Sequence, residues 1–181
     1  MSLDKSNVKL RIIRPNGDIQ EPPLQGDVTW ETERKSTPGK LTCTMPKSSG
    51  LSFQEGDYIE FRQYNPKTYN YDCIFYGRVF TKQRNSDQLI KVTAYDNLRF
   101  LKNKYTAIYE DKKASEIVTN VLDTAKLPYK KEDISDTNYV ISSLTEDEQT
   151  MFDIIQDAID LTVYSTTTLY VLWCDGIGNI H

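Results

Sequence analysis

The side chains that most often carry catalysis are scarce in this sequence. Its one histidine is His181, the last of 181 residues. A Ser-His-Asp triad, a Cys-His dyad and a HExxH zinc site all depend on a histidine held beside its chemical partners. We therefore expect no enzyme of these classes and assign no catalytic residue.

The three cysteines do not suggest a reactive or metal site either. Cys43, Cys73 and Cys174 are odd in number and far apart, and no two of them stand in a CxxC pair. This spacing favours neither a zinc site nor a disulfide framework. Small buried thiols in a reducing compartment are the simplest interpretation.

Glycine and carboxylate motifs for nucleotides or metals are incomplete. Gly176-Ile177-Gly178 lacks the third glycine of a dinucleotide-binding loop and the helix that follows it, so we interpret it as a hairpin turn. Glu132–Asn138 offers oxygen ligands but lacks the central glycine of a calcium loop. We interpret it as solvated loop, and Glu146–Glu148 as acidic loop beside a helix N-terminus. The sequence thus predicts no cofactor and no metal.

A polar, tyrosine-rich stretch at residues 63–71 is the first candidate interaction site. It carries Tyr64, Tyr69 and Tyr71 among asparagine, proline and lysine residues. The stretch is too polar for a core and is typical of a hairpin tip, while tyrosine is favoured at protein interfaces. The tip is either solvated or in contact with a partner, and the sequence leaves both readings open.

Charge is distributed unevenly along the chain. Up to Tyr105 there are 17 Lys and Arg against 12 Asp and Glu, a net charge of +5. From Thr106 onward there are 5 against 14, a net charge of −9, and no Lys or Arg follows Lys131. A shift of this size predicts two modules. We place them at residues 5–104 and 105–181.

Short alternating segments separated by turn signals fill the first module. In Lys40–Met45, for example, Leu41, Cys43 and Met45 alternate with threonines, which is the period of a half-buried strand. Such a series of strands is typical of an antiparallel β-barrel or sandwich. Six strands are predicted, at Val8–Arg14, Val28–Arg34, Lys40–Met45, Tyr58–Tyr64, Cys73–Lys82 and Ile90–Tyr95.

The second module shows helical spacing, so the predicted fold class of the whole chain is α+β. A first helix is predicted around Ile117–Ala125, ending before Pro128. Thr150–Asp153 has the pattern of a capping box that begins a second helix. The apolar residues of that helix lie opposite three acids, and a strand is predicted at Leu169–Cys174. The acids are Asp153, Asp157 and Asp160.

Several segments together resemble a known family. The run Val92–Lys104, VTAYDNLRFLKNK, is similar to the XkdQ-type baseplate hub proteins of PBSX-like prophages, which are components of contractile phage tails. No single segment is diagnostic, but their order and spacing extend the resemblance over nearly the whole chain. The other matching segments are Pro38–Thr42, Phe53–Asp57, Ile74–Phe80, Lys113–Val118, Tyr139–Leu144 and Asp153–Ala158.

The resemblance implies a structural protein without catalysis. Hub proteins of this type form a homotrimeric ring that adapts the hexameric tail tube to the trimeric spike and contacts other baseplate proteins. Residues 5–104 would be a tail-tube-like barrel and residues 105–181 a small α+β module, truncated before a second barrel. The protein would be made in the bacterial cytoplasm and located in the tail baseplate of the virion. No apolar run reaches the roughly 18 residues of a membrane span, so no membrane anchor is expected.

The resemblance also suggests a role for the acids of the second helix. DNA passes through the lumen of such a hub without specific binding, and an acidic lining would repel it. We hypothesise that Asp153, Asp157 and Asp160, or Glu146–Glu148, face the lumen or a basic partner. A merely solvated helix face explains the same pattern equally well.

Two other classes of function remain as alternatives. A basic module with interleaved aromatics such as Tyr58 and Phe61 is typical of an OB-like or aromatic-rich binding module for nucleic acid or carbohydrate. Its charge of +5 is mild, however, and the acidic module would repel phosphates. The third class is a tail-associated wall hydrolase, but no spacing among the 26 acids singles out a catalytic pair.

Overall fold

The computed structural model describes residues 7–33, 37–84 and 88–181. Its chain divides into two compact units, each with its own hydrophobic core. The predicted division at residues 5–104 and 105–181 into separate domains stays a prediction, and residue 5 lies outside the described residues. Within the described residues, the first unit comprises residues 7–32, 38–84, 88–97 and Asp175–Gly178. The second unit comprises residues 33 and 37, Leu98–Cys174 and Asn179–His181.

One antiparallel sheet makes up most of the first unit. Its strands lie in the order β2-β1-β5-β6-β7-β4-β3. All six predicted strands are present and β2 is an additional short one, while the predicted strand end at Arg34 lies outside the described residues. The strands are β1 (Val8–Ile13), β2 (Ile19–Gln20), β3 (Thr29–Glu31), β4 (Lys40–Pro46), β5 (Tyr58–Asn65), β6 (Asn70–Arg84) and β7 (Leu89–Tyr95).

The predicted alternation places one face of this sheet in the core. Residues that lie directly opposite each other in an antiparallel pair point to the same face. Along β4 and β7, every second pair is therefore buried, and the pairs between them are exposed or half-buried. The buried pairs are Leu41 with Ala94, Cys43 with Val92 and Met45 with Ile90.

The α+β class is confirmed, but the expectation of a barrel is wrong. Within the described residues β2 pairs only with β1 and β3 pairs only with β4, so the sheet is open at both ends. Both end strands are very short, with two and three residues. Strands of this length offer few backbone groups for pairing.

The second unit combines two helices with a two-stranded antiparallel sheet. Its core is formed by the buried sides of both helices together with Ile141 and Leu144. The sheet was not predicted, whereas both helices are confirmed. The elements are β8 (Lys104–Lys113), α1 (Ala114–Ala125), β9 (Val140–Thr150) and α2 (Met151–Thr166).

Local signals set the bounds of the helices. Thr150 caps α2 as predicted, because its Oγ1 accepts a hydrogen bond from the Asp153 amide at 3.1 Å. α1 ends at Ala125 and is capped by Lys126, which takes the left-handed conformation with φ of 54° and donates its amide N–H to the Asp123 and Leu122 carbonyls. Pro128 follows two residues later, where the helix cannot continue.

Two predictions for the second unit need correction. Glu146–Glu148 is not a loop but part of β9, where Asp147 Oδ1 accepts a hydrogen bond from Thr106 Oγ1 at 3.0 Å. Leu169–Cys174 is not a paired strand: in the described residues only Cys174 makes a β-bridge, with Ile180. The first error arose because most residues of β9 are polar and exposed, so its two buried residues, Ile141 and Leu144, do not produce a strand pattern in the sequence.

Candidate interaction surfaces

The predicted tyrosine tip is the end of the β5–β6 hairpin. The register pairs Tyr64 with Tyr71, and their rings meet edge to face at a centroid distance of 5.4 Å. Tyr69 lies in the turn with a positive φ of 54° and is 83% exposed. Tyr64 and Tyr71 therefore form one aromatic pair on the strand ends, while Tyr69 projects separately into solvent.

Charged side chains hold the base of this tip in place. Arg62 donates two hydrogen bonds to the Tyr71 carbonyl, at 3.2 and 2.7 Å, and lies 3.2 Å from Glu60. Arg11 forms a second ion pair with the same Glu60 at 3.1 Å. The Lys9 ammonium lies 4.4 Å from the Tyr71 ring centre, within the range of a cation–π contact. The aromatic pair is thus positioned by neighbouring strands rather than by the turn alone.

The open ends of the sheet carry exposed apolar side chains that the sequence did not single out. Trp30 in β3 is opposite the buried Leu41, so its indole lies on the core face of the sheet, yet 47% of it is exposed. Ile19 in β2 is half-exposed at the other end. An uncovered strand edge with a large apolar side chain is a template for pairing with another chain.

The three predicted acids of α2 lie along one side of the helix but differ in their partners. Asp153 accepts a hydrogen bond from Thr150 Oγ1 at 2.6 Å, and Asp160 accepts one from Gln156 at 2.7 Å. Asp157, between them, is exposed. The protein nevertheless shields its carboxyl group in part from water, and this partial desolvation, followed by the charges of Asp153 and Asp160, raises the pKa of Asp157 above its ordinary value. These aspartates therefore repel one another.

Glu146 of β9 belongs to the same acidic surface, which the sequence placed in a loop. Burial raises the pKa of Glu146, and the charges of Asp157 and Asp153 raise it further. Within the described part of the chain, neither Glu146 nor Asp157 forms an ion pair that would offset this repulsion. The surface therefore presents concentrated negative charge to solvent.

Comparison with known families gives this arrangement a context. The family model described as YQBQ-like matches residues 28–180 of the chain. The chain belongs to the YQBQ-like family. Among curated proteins, none matches it.

The YQBQ-like chain also shares its fold with a solved structure. That structure is the 43 kDa tail protein of prophage MuSo2 from Shewanella oneidensis, with a TM-score of 0.67 and 12% sequence identity. The match covers 96% of this chain and 51% of the tail protein, so the chain spans about half the length of that protein. At this identity the match shows a shared fold.

Two cysteines of this YQBQ-like chain, Cys43 and Cys73, are thiols with little reactivity. Burial raises the pKa of Cys43 to about 12. Burial, followed by the charge of Glu60, raises the pKa of Cys73 to about 11. Because the thiolate is the nucleophile and the metal ligand, both groups are inert near neutral pH. In the described residues, no group of three or more His, Cys, Asp and Glu side chains could hold a metal ion.

The Gly176-Ile177-Gly178 motif forms the predicted turn and not a nucleotide loop. The Gly178 amide donates to the Asp175 carbonyl at 3.1 Å, and the Asn97 side chain donates to the Gly178 carbonyl at 2.7 Å. A Cβ on Gly176 would lie 2.1 Å from the Cys73 carbonyl oxygen. The motif therefore serves close backbone packing in the first unit of this YQBQ-like chain. None of the helices that the structure describes is long and apolar enough to cross a membrane.

Proposed function

We propose that the chain is a structural, non-enzymatic protein of a contractile phage tail, where it acts as a baseplate hub. In this role three copies form a ring that adapts the hexameric tail tube to the trimeric spike and leaves a lumen for DNA. The observation that carries the proposal is the fold shared with a prophage tail protein over 96% of this chain. The segment resemblance to XkdQ-type hubs supports the finer assignment.

The open sheet of the first unit supports assembly into a ring. Its two ends are different, with Ile19 at β2 and Trp30 at β3. When an edge of one kind joins an edge of another kind, the contact is heterologous, and a heterologous contact closes into a ring if its rotation allows. Pairing of β2 from one copy with β3 of the next would continue the sheet from copy to copy, with Trp30 on its core face and Ile19, which lies opposite Ile13, on the other face.

The tyrosine tip is the surface we assign to another tail component. Arg62 fixes the Tyr71 backbone, Lys9 lies over the Tyr71 ring, and the Tyr64 ring packs edge to face against it, so the pair is partly ordered before a partner binds. Rigid aromatic side chains of this kind dominate the energetics of many interfaces. The tail tube and the spike are the partners that the hub role provides.

The acids Asp153, Asp157 and Asp160 are proposed to face the DNA path. Their mutual repulsion is unfavourable for the isolated chain, and a lumen that must repel DNA would give this negative charge a role. A channel lined with negative charge repels the DNA backbone and so prevents adhesion during passage. Glu146 adds to the same field.

Immunogold electron microscopy tests the location directly. Antibodies against the purified chain would be applied to tail particles released by the bacterium that carries the gene. Label at the baseplate end of the tail supports the hub role. Label along the whole tube, on the sheath or on the capsid would overturn it. Peptidoglycan turnover by the purified chain would contradict the non-enzymatic part of the proposal.

Charge reversal tests the proposed DNA path. In phage that carry the Asp153→Lys, Asp157→Lys and Asp160→Lys changes together, we expect DNA ejection to slow and infectivity to fall. A matched control reverses Glu110, Asp111 and Glu132, which are exposed acids of the second unit. Unchanged infectivity in the first variant, or an equal loss in both, would show that these aspartates are only a solvated helix face.

A further inference from the structure

A cleft with a volume of about 640 Å³ lies along the exposed side of α1 in the second unit. The helix lines it with polar side chains only, and the end of β8 and residues 131–136 complete the lining. Ligand pockets have volumes of about 300–1,000 Å³, so the cleft is large enough to hold a small molecule. The α1 residues are Ser115, Glu116, Thr119, Asn120 and Asp123.

The formal charges that line the cleft cancel. A hydrogen bond from the Lys113 ammonium to Asp136, 2.8 Å long, lowers the pKa of Asp136, and one from the Lys113 amide lowers the pKa of Glu116. Both acids therefore stay ionised at neutral pH. The cleft then has no net charge to attract a cation or an anion, because three lysines are matched by three acids. The six residues are Lys112, Lys113, Lys131, Glu116, Asp123 and Asp136.

Two classes of ligand fit this lining poorly. In the described lining of the cleft, Ile134 is the only residue with a wholly apolar side chain, so an apolar ligand would leave polar groups without partners. Anions are commonly bound by the free N–H groups at a helix N-terminus, but there the Glu116 carboxylate already accepts the Lys113 amide at 2.9 Å. The lining therefore favours an uncharged, polar ligand.

Hydrogen bonds within the protein orient two side chains of the cleft and leave part of each unused. The Tyr109 hydroxyl donates to Asn120 Oδ1 at 3.0 Å, and the Tyr129 hydroxyl donates to Asp123 Oδ1 at 2.8 Å. Among the described residues, none accepts from Asn120 Nδ2 or donates to Asp123 Oδ2, and Lys131 forms no ion pair. The cleft therefore holds an amide donor and a carboxylate acceptor that are oriented before any ligand binds.

We propose that this cleft binds a neutral oligosaccharide. A sugar hydroxyl both donates and accepts hydrogen bonds. Asn120 and Asp123 are three residues apart on the helix, which places their Cβ atoms about 5–6 Å from each other. One hydroxyl can therefore accept from Asn120 while a neighbouring hydroxyl donates to Asp123, and the Lys131 ammonium supplies a further donor. The inference goes beyond the proposed tail role and does not depend on it.

An NMR titration of the 181-residue chain tests the proposal. The probes are three neutral tetrasaccharides, maltotetraose, cellotetraose and chitotetraose, added separately. At least one of them should shift the backbone amide signals of Thr119, Asn120, Asp123 and Lys131 and leave those of the tyrosine tip unchanged. Raising the salt concentration should leave the affinity unchanged, because the ligand carries no charge. No shift with any probe, shifts only outside the cleft, or a steep loss of affinity with salt would overturn the proposal.

Matched variants of α1 separate hydrogen bonding from shape. Asn120→Asp keeps the size of the side chain but replaces the amide donor by an acceptor, so it should weaken binding of the tetrasaccharide about tenfold. Thr124→Ala is the control, because Thr124 is an exposed α1 residue that does not line the cleft. If Asn120→Asp fails to fold in thermal unfolding, Asn120→Ala removes the same donor and should show the same loss. Unchanged binding in the Asn120 variants, or an equal loss in Thr124→Ala, would contradict the assignment of this cleft.

Discussion

Replacing Trp30 by lysine should separate the copies of the chain if the β3 edge is an assembly contact. The indole lies on the core face of the sheet and is 47% exposed. A tryptophan side chain offers up to about 250 Å², so about 120 Å² is free for a neighbour to cover. At about 25 cal/mol per Å², this area is worth about 3 kcal/mol for each contact. That corresponds to roughly a hundredfold in the dissociation constant.

Sedimentation velocity over a range of protein concentrations measures this effect. The wild-type chain should associate as concentration rises, and Trp30→Lys should need roughly a hundredfold higher concentration to reach the same oligomer fraction. Tyr164→Lys is the matched control, because Tyr164 is also an exposed aromatic, 89% exposed, but lies in the second unit. Thermal unfolding of both variants checks that the fold is intact.

Two results would refute this reasoning about the edge. One is a wild-type chain that stays monomeric at every concentration, since the open edge would then be simply tolerated. The other is equal dissociation by Trp30→Lys and Tyr164→Lys, since any added positive charge would then suffice. Neither result depends on the acidic surface of α2.

Three further predictions concern stability. Gly176→Ala should lower the thermal unfolding midpoint, because its Cβ would lie 2.1 Å from a backbone oxygen, whereas Gly50→Ala, with no atom within 4 Å, should not. Ile154→Ala truncates a fully buried side chain and should lower the free energy of unfolding, measured with urea, by about 2–5 kcal/mol. Asp157→Asn should stabilise the chain at pH 7 by about 0.2–0.5 kcal/mol, because it removes an i,i+4 repulsion with Asp153. The raised pKa of Asp157 means that its charged form is disfavoured in the fold, so this gain should shrink as the pH falls through that pKa. A gain that is unchanged at pH 3 would contradict the repulsion argument.

Periodicity predicted the elements whose buried residues alternate strictly. β4 and β7 could be predicted because their apolar and polar residues alternate. α2 could be predicted because Thr150 and Asp153 have the pattern of a helix N-terminus. β9 was missed because only Ile141 and Leu144 are buried along its eleven residues. Two buried residues in eleven are too few to produce the alternation of apolar and polar residues by which a strand is recognised in a sequence.

Closure of the sheet could not be predicted, because alternation within each strand does not show which strands pair at the two ends of the sheet. β2 and β3 have two and three residues, too few for alternation to be visible. The Trp30 surface was missed for the same reason, since its exposure follows from the position of β3 at the end of the sheet. Tyr64 and Tyr71, by contrast, were found through composition alone, because polar residues surround them on both sides.

The length of β6 has a mechanical consequence. This strand has fifteen residues and pairs with β5 over Asn70–Arg78 and with β7 over Arg78–Arg84. At about 3.3 Å per residue it extends for about 50 Å. A pull on the tip along the strand axis loads many ladder hydrogen bonds at once, whereas a sideways pull opens them one after another. A partner bound at the tyrosine tip therefore pulls on one end of this ladder, which has register shifts at Phe61/Arg62 and Val79/Thr81, and the direction of its force decides whether the hairpin bonds break together or one after another.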